Sequence, residues 1–364
     1  MRSALTLAKR GFGATSPNPM VGAVLVKNNK VIGRGWHHRA GEPHAEIEAL
    51  HDAQARHATV AGATLYVTLE PCSTHGRTPP CTKAIAAAGI KRVVIGAIDP
   101  NPAHAGKGLE LLRRAGIQVA SDVLGEEATR LNEAFNHWII HRTPFVTVKA
   151  AMSLDGKIAT TSGESKWITG VQARQYGMEM RRGTDAILVG VNTILADDPS
   201  LTWRGREIEH KKLRRITLDS HGRTPLRSRV ASDQFADHLT TVVVSKAASS
   251  KRITALSKRV TVWKAPARQA RIDLRWLLKK LGAENVTSLL VEGGGEVNAS
   301  FLLDGLAHRV AFFYAPKILG GRNAIKAVAG KGVSALEDAI HLRDVQWRQL
   351  GPDLLLTARC DQPA

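Results

Sequence analysis

The chain has 364 residues, 43% of them hydrophobic, which is more than one hydrophobic core ordinarily holds and predicts two domains. No apolar run approaches the roughly 18 residues that cross a bilayer, and the opening MRSALTLAKRGFG lacks a signal peptide's apolar stretch, so a cytoplasmic protein without a membrane partner is expected. The formal charge of +19 divides as 17 basic against 11 acidic residues up to position 142 and 34 against 21 after it, which points to an anionic partner. Aromatics at 5% are sparse for the stacking platforms of single-strand nucleic-acid binders, so phosphorylated small molecules fit the charge equally well.

In chain order, residues 3–10 predict a short helix. VGAVLV (21–26), the polar turn 27–30 and VIGRGW (31–36) predict a hairpin. A helix over 45–56, a strand in ATLYVTLE (63–70), a helix opening near Pro80, a strand in RVVIGAI (92–98), a helix over 108–115 and a last helix over 126–141 follow. Such alternation implies an α/β fold with a mostly parallel sheet covered on both faces. In HRTPFVTVKAAMSLDG the pattern breaks at Pro144 and restarts as a strand, placing a domain boundary there, with domains 1–142 and 143–364. The second half predicts strands in FVTVKAAM, DAILVG, RRITLD, TTVVVS, SLLVEGGG and RVAFFYAP, and helices over 172–182 and 273–281. The charged stretch 203–213 predicts an exposed loop.

Three cysteines are an odd number, and a reducing compartment disfavours pairing Cys72 with Cys81 as a disulfide. Cys360, far from both, is expected to be inert. PHAEIEAL (43–50) offers another use for the pair, because Pro43 can open a helix whose first turn carries His44 and Glu46. A strand ends at Pro71 with Cys72 beyond it. His44, Cys72 and Cys81 are therefore candidates to meet at one end of the sheet, and one imidazole with two thiolates suits Zn²⁺ with a fourth position left for water. Glu46 need not bind the metal to act: a carboxylate beside it can carry a proton from water to a leaving amine. H-x-E followed by P-C is the pattern of zinc nucleobase deaminases, although eight residues separate these cysteines where C-x-x-C is usual.

PCSTHGRTPPC (71–81), SPNPMVGAVLV (16–26) and GRGWHHRAGEPHAE (33–46) resemble the deaminase half of RibD, the bifunctional riboflavin-biosynthesis family. KAAMSLDGKIA (149–159), SGESKWITG (162–170), GVNTILADDPSLTWR (190–204) and VEGGGEVNAS (291–300) resemble its reductase half. The resemblance covers nearly the whole chain. It implies a cytidine-deaminase-like αβα domain followed by a dihydrofolate-reductase-like α/β domain, with Zn²⁺ in the first and NADPH in the second. It further implies His44, Cys72 and Cys81 as metal ligands, Glu46 as proton carrier, and Asn18, His37 and His75 as weaker candidates for substrate contacts. Thr74 stands where a second histidine is common in that loop, so His75 carries the expectation there.

In the second half the resemblance implies that Ala151, Trp167, Thr193, Asp197, Ser220, Gly294, Gly295, Glu296, Val297, Asn298, Ala299 and Ser300 line the dinucleotide. Ser165, Arg181, Leu201, Arg204 and Glu292 would face a ribosyl phosphate, and the two arginines suit phosphate by their paired donors. The glycine run fails G-x-G-x-x-G, so no Rossmann domain is argued from it. Plainer readings exist: a turn-forming Asn18, a solvent-facing His37, solvent-exposed arginines, and Trp167 and Leu201 as core residues. Lys149 and Asp155 flank a strand end without an assigned role.

The function implied is deamination of 2,5-diamino-6-(5-phosphoribosylamino)pyrimidin-4(3H)-one followed by reduction of its ribosyl group, in a dimer or higher homo-oligomer with no specific nucleic-acid partner. Two alternatives remain at this stage. One is a nucleic-acid-editing deaminase whose basic C-terminal half is a binding module, and the other is a scaffold with a structural zinc.

Overall fold

A computed structural model describes residues 1–74, 79–205, 212–268 and 271–361. The chain divides into two compact units, Met1–Arg142 and Thr143–Ala364. The first is built on a five-stranded sheet in the order Lys30–Trp36, Gly22–Lys27, Thr64–Leu69, Arg92–Ala97, Gln118–Ala120. The expected mostly parallel sheet is mixed: the first two pairings are antiparallel and the last two parallel. The hairpin accounts for this. Asn28 and Asn29 take φ of 50° and 59°, the left-handed pair that a tight two-residue turn needs, and the chain reverses at once.

Helix Ala45–Ala55 packs on that hairpin through a stripe of fully buried Ala45, Ala49 and Ala53. The strand under it carries Gly33 and Gly35, where a Cβ would come within 2.3 Å of the Ala49 and Ala45 carbonyl oxygens. Glycine and alanine thus let the helix lie against the strand backbone, which sets where its N-terminal residues His44 and Glu46 stand. The core of this unit lies between the sheet and its helices, with Leu25, Leu65, Val67, Ile85, Val93 and Ile95 at 0–1% exposure. The single helix expected over 126–141 is two, Gly125–Leu131 and Glu133–His141. Asn132 breaks it: its Nδ2 donates to the Met20 carbonyl at 2.9 Å and its Oδ1 accepts from the Met20 N–H at 2.8 Å.

The second unit holds a nine-stranded sheet in the order Thr261–Lys264, Thr240–Val244, Arg214–Leu218, Ala186–Gly190, Ser288–Val291, Phe145–Ser153, Arg309–Ala315, Asp353–Cys360, Leu342–Leu350. Its first seven strands are parallel and the last two form an antiparallel hairpin. AILVG and TTVVV are buried at every position, as strands covered on both faces must be. The C-terminal hairpin is absent from the elements read in the sequence. Its outer strand LRDVQWRQL is exposed at every position but the last, so no buried face marks it. Helices Val191–Asp197 and Ser250–Ser257 and strand Thr261–Lys264 also lie outside that reading. The stretch 203–213 is anchored at both ends, by half-buried Trp203 and by Leu213 at 3% exposure, and residues 206–211 lie outside the described residues.

Candidate active sites

His44 is the N-cap of helix Ala45–Ala55, Cys72 follows the strand Thr64–Leu69, and Cys81 opens helix Cys81–Ala87. Two helix N-termini and one strand end converge, and the positive ends of the helices favour thiolate. His44 Nδ1 lies 3.6 Å from Cys72 Sγ and 3.3 Å from Cys81 Sγ, and the ligand atoms of all three residues fall within 4.8 Å of one another. The Cys81 backbone N–H donates to Cys72 Sγ at 3.2 Å. Both cysteines are free thiols, so the disulfide is not formed.

Glu46 is 3% exposed, and burial pushes its carboxyl up to about 7 against the pull of His44. The Cys72 thiol is held down at about 4 by the hydrogen bond from Cys81, with burial opposing and His44 assisting. Cys81 moves up, because it keeps the proton it shares with Cys72 and is buried. His44 and Glu46 line a cavity of about 240 Å³.

Asn18 and His37 line the same cavity. His37 does not face solvent: it is 3% exposed, and burial lowers its pKa. Its Nδ1 lies 3.0 Å from the Pro43 carbonyl, which can only accept, so Nδ1 carries the proton and Nε2 accepts from Asn18 Nδ2 at 3.1 Å. His75 lies outside the described residues.

Sequence reasoning missed Asp99, Asn101 and His104, which line the same cavity. They follow the strand Arg92–Ala97, and ligands of α/β sheets gather beyond such carboxyl ends, a signal that DPNP (99–102) offered. Buried Glu70 holds this loop. Its carboxylate accepts backbone N–H bonds from Asp99 at 3.1 Å, Gly106 at 3.0 Å and Gly108 at 2.8 Å. Burial raises the pKa of Asp99.

In the second unit, Arg181 and Glu292 form a bidentate pair, Nε to Oε1 at 3.0 Å and Nη2 to Oε2 at 2.8 Å, and Lys149 Nζ stands 3.9 Å from Glu292 Oε2. Arg181 Nη1 donates to the Thr202 carbonyl at 3.1 Å. Arg181 is therefore half-buried and held by protein partners, not a solvent-exposed arginine. Burial opposes ionisation of Glu292, yet Arg181 and Lys149 outweigh it and hold the carboxyl down at about 2.

Ser165 Oγ donates to Asp197 Oδ1 at 3.2 Å, which brings together a residue expected at the substrate and one expected at the cofactor. Trp167, whose plainer reading was core, is 65% exposed under the Arg174 guanidinium 4.7 Å from its ring centre. Leu201 is core, at 3% exposure with φ of 51°, so only its backbone is on offer to a ligand. Arg204 is exposed, and Ala151, Thr193 and Ser220 are half-buried.

The run from Gly294 caps and opens helix Gly295–Leu303. The side chains of Asn298 and Ala299 are buried, and Ser300 Oγ turns back to the Glu296 carbonyl at 2.8 Å. What this run presents is the first-turn backbone N–H groups, beside Gly294, whose Cβ position meets nothing within 4 Å.

Comparison with known proteins gives consistent matches across the chain. The family described as RibD C-terminal domain matches residues 144–356, and the cytidine and deoxycytidylate deaminase zinc-binding region matches residues 1–97. Riboflavin biosynthesis protein RibD of Aquifex aeolicus is 44% identical over 98% of this chain and 96% of its own, and that of Actinobacillus pleuropneumoniae is 43% identical over 98% and 93%.

The chain belongs to the RibD family.

Among solved structures, Acinetobacter baumannii RibD superimposes with a TM-score of 0.87 at 35% identity, covering 99% of this chain and 98% of its own. A diaminohydroxyphosphoribosylaminopyrimidine deaminase/5-amino-6-(5-phosphoribosylamino)uracil reductase of Thermotoga maritima does so with a TM-score of 0.84 at 37% identity, covering 99% and 97%. The fold is thus a cytidine-deaminase-like domain followed by a dihydrofolate-reductase-like one. A RibD reductase domain in the C-terminal half replaces the alternative of a nucleic-acid-binding module.

The donor sets suit the cofactors of a RibD protein. Zn–N of about 2.0 Å and Zn–S of about 2.3 Å imply N···S separations of roughly 3.5 Å in a tetrahedron. The observed 3.6 and 3.3 Å bracket that value. One sulfur already favours the thiolate, and a divalent cation is what would hold both in that form. The open backbone cradle at Gly294 suits a dinucleotide phosphate. Among the described residues, no helix is long and apolar enough to cross a membrane.

Proposed function

We propose that residues 1–142 deaminate 2,5-diamino-6-(5-phosphoribosylamino)pyrimidin-4(3H)-one at C2 and that residues 143–364 reduce the ribosyl group of the product to ribityl with NADPH. One observation carries the reading: the His44, Cys72 and Cys81 donors converge, and His44, Cys72 and buried Glu46 line a cavity of about 240 Å³.

His44, Cys72 and Cys81 hold the zinc, whose contribution when bound is Lewis acidity that makes water nucleophilic near neutral pH. Glu46, at about 7, takes a proton from the attacking water on its carboxylate oxygen and returns it to the departing amine. Water adds at C2, the C2–N bond breaks, and ammonia leaves with that proton. Asn18, neutral His37, Asp99 and Asn101 line the cavity as partners for the polar edge of the pyrimidine.

In the reductase the nicotinamide supplies hydride to C1′ and the protein supplies position. The first turn of helix Gly295–Leu303 receives a phosphate of the dinucleotide, and Ser165, Arg204 and the backbone at Leu201 face the ribosyl phosphate. The protein acts in the cytoplasm as a dimer or larger oligomer. The outer strand Leu342–Leu350, exposed at every position but the last and with Trp347 59% exposed at a sheet edge, supports self-association.

The test is a coupled assay of the purified protein with the diaminopyrimidine phosphate, following ammonia and NADPH absorbance together. Stoichiometric release and oxidation are expected, and ammonia release without NADPH consumption would remove the second half of the reading.

A further inference from the structure

Arg215 sits at 0% exposure on the strand Arg214–Leu218, third in the nine-stranded sheet, where it is paired between Ile187 and Thr240. Burying a guanidinium there costs stability that an aliphatic residue would not, so its presence asks for a purpose. Its Nη1 and Nη2 grip Asp233 Oδ2 and Oδ1 at 2.5 and 2.8 Å, and Asp233 is itself fixed by the Phe235 N–H at 3.0 Å. The remaining reach of Nη1 goes to the Ser200 carbonyl at 3.1 Å, while Nε has no partner among the described residues.

Two residues further along the same loop, the Thr202 carbonyl is taken by Arg181, which Glu292 clamps in the same bidentate way. At the loop's start, Asp198 Oδ1 accepts from the Arg229 N–H at 2.8 Å. Between the two arginine-held carbonyls stands Leu201, a non-glycine residue at φ of 51°, its side chain pinned among Ile187, Val189 and Val230. Backbone of this kind persists only where its surroundings over-determine it, and such strain gathers where a ligand must be met by a shaped loop. Arg204 follows immediately and is exposed.

We propose that Arg215, clamped by Asp233, is a positioning residue of the reductase, which together with Arg181 fixes the loop Asp198–Arg204 in the shape that presents the Leu201 backbone and Arg204 to the ribosyl phosphate. The inference rests on the reductase reading above and extends it to two residues that touch no ligand. Arg181 then acts in the same way, through Thr202.

The experiment uses the full-length, zinc-loaded protein with Arg215→Lys and, separately, Asp233→Asn. Lysine keeps the charge but cannot make the fork, and asparagine keeps one acceptor of the two. For each, kcat and KM are measured for ammonia release and for NADPH oxidation, with melting temperature alongside. The expected result is a fall of about 10- to 100-fold in kcat/KM for the ribosyl phosphate in reduction, carried by KM, since a loop displaced by about 1 Å costs that much. KM for NADPH and the rate of ammonia release stay at wild-type values, which gives a control within the same molecule.

A merely structural role would lower the melting temperature and leave KM for the ribosyl phosphate unchanged in the folded fraction, and that result overturns the proposal. Should Arg215→Lys fail to fold, Asp233→Asn decides by the same readings. A wild-type protein that oxidised no NADPH would instead remove the reductase reading itself, a failure visible before any variant is made.

Discussion

A carboxyl group in water titrates near about 4.3, and Glu46 and Glu292 leave that value in opposite directions for nameable reasons. Glu46 has burial as its largest influence and rises to about 7, so at neutral pH it is populated both as base and as acid. Replacing it by glutamine keeps the shape and removes the proton. Glu46→Gln should therefore lower ammonia release by about 10³-fold, within the usual range for losing a general acid–base. Zinc content by elemental analysis, and NADPH oxidation with an already deaminated substrate, should both stay at wild-type level; normal ammonia release would take Glu46 out of the mechanism.

Glu292 is only partly buried, and there Arg181 and Lys149 overcome burial and set it at about 2. Its folded value lies below its unfolded one, so its contribution is complete above about pH 4.5 and is lost as pH falls towards 2. A shift of that size corresponds to about 3 kcal/mol. Thermal melts of the wild type should lose stability across that window, whereas Glu292→Gln should start lower at pH 7 and show a flatter acid limb. An equal acid slope in both proteins would mean that the pair does not stabilise the fold.

Small residues at chosen places do at the scale of elements what ion pairs do at the scale of residues. The Ala45, Ala49 and Ala53 stripe over Gly33 and Gly35 seats the helix whose first turn carries His44 and Glu46. Helix Gly295–Leu303 shows the two uses of glycine side by side. A Cβ on Gly295 would come within 2.3 Å of the Lys326 carbonyl, whereas one on Gly294 would enter open space. Gly295→Ala should cost about 1–3 kcal/mol as an overpacking change. Gly294→Ala should leave the melting temperature alone and raise KM for NADPH several-fold, because the added methyl occupies the cradle. An unchanged KM in that variant would move the phosphate elsewhere.

Across the whole molecule, the two activities depend on different things. Chelating the metal should abolish ammonia release and lower the melting temperature, because a ligand that binds only the folded form stabilises it by mass action. NADPH oxidation with deaminated substrate should persist, and its loss on chelation would tie the second site to the first.

The chemistry of the first site was legible because its parts are local signals. His44 and Glu46 lie on one helical turn, Cys72 stands at a strand end and Cys81 at a helix start, and each position follows from turn and period. The C-terminal hairpin was not legible, since its outer strand buries no face and so writes no alternation into the residues. Nor were the roles of polar groups that depend on distant partners. The Glu292 partner of Arg181 stands 111 positions away, and Pro43 and Asn18 enclose His37, which rules out its plainer solvent-facing reading and leaves it on the cavity wall. Residue type and spacing state what a side chain is able to do. Whether it is buried, which charge faces it and which loop it holds follow from contacts between remote segments, and those exist only once the chain has packed.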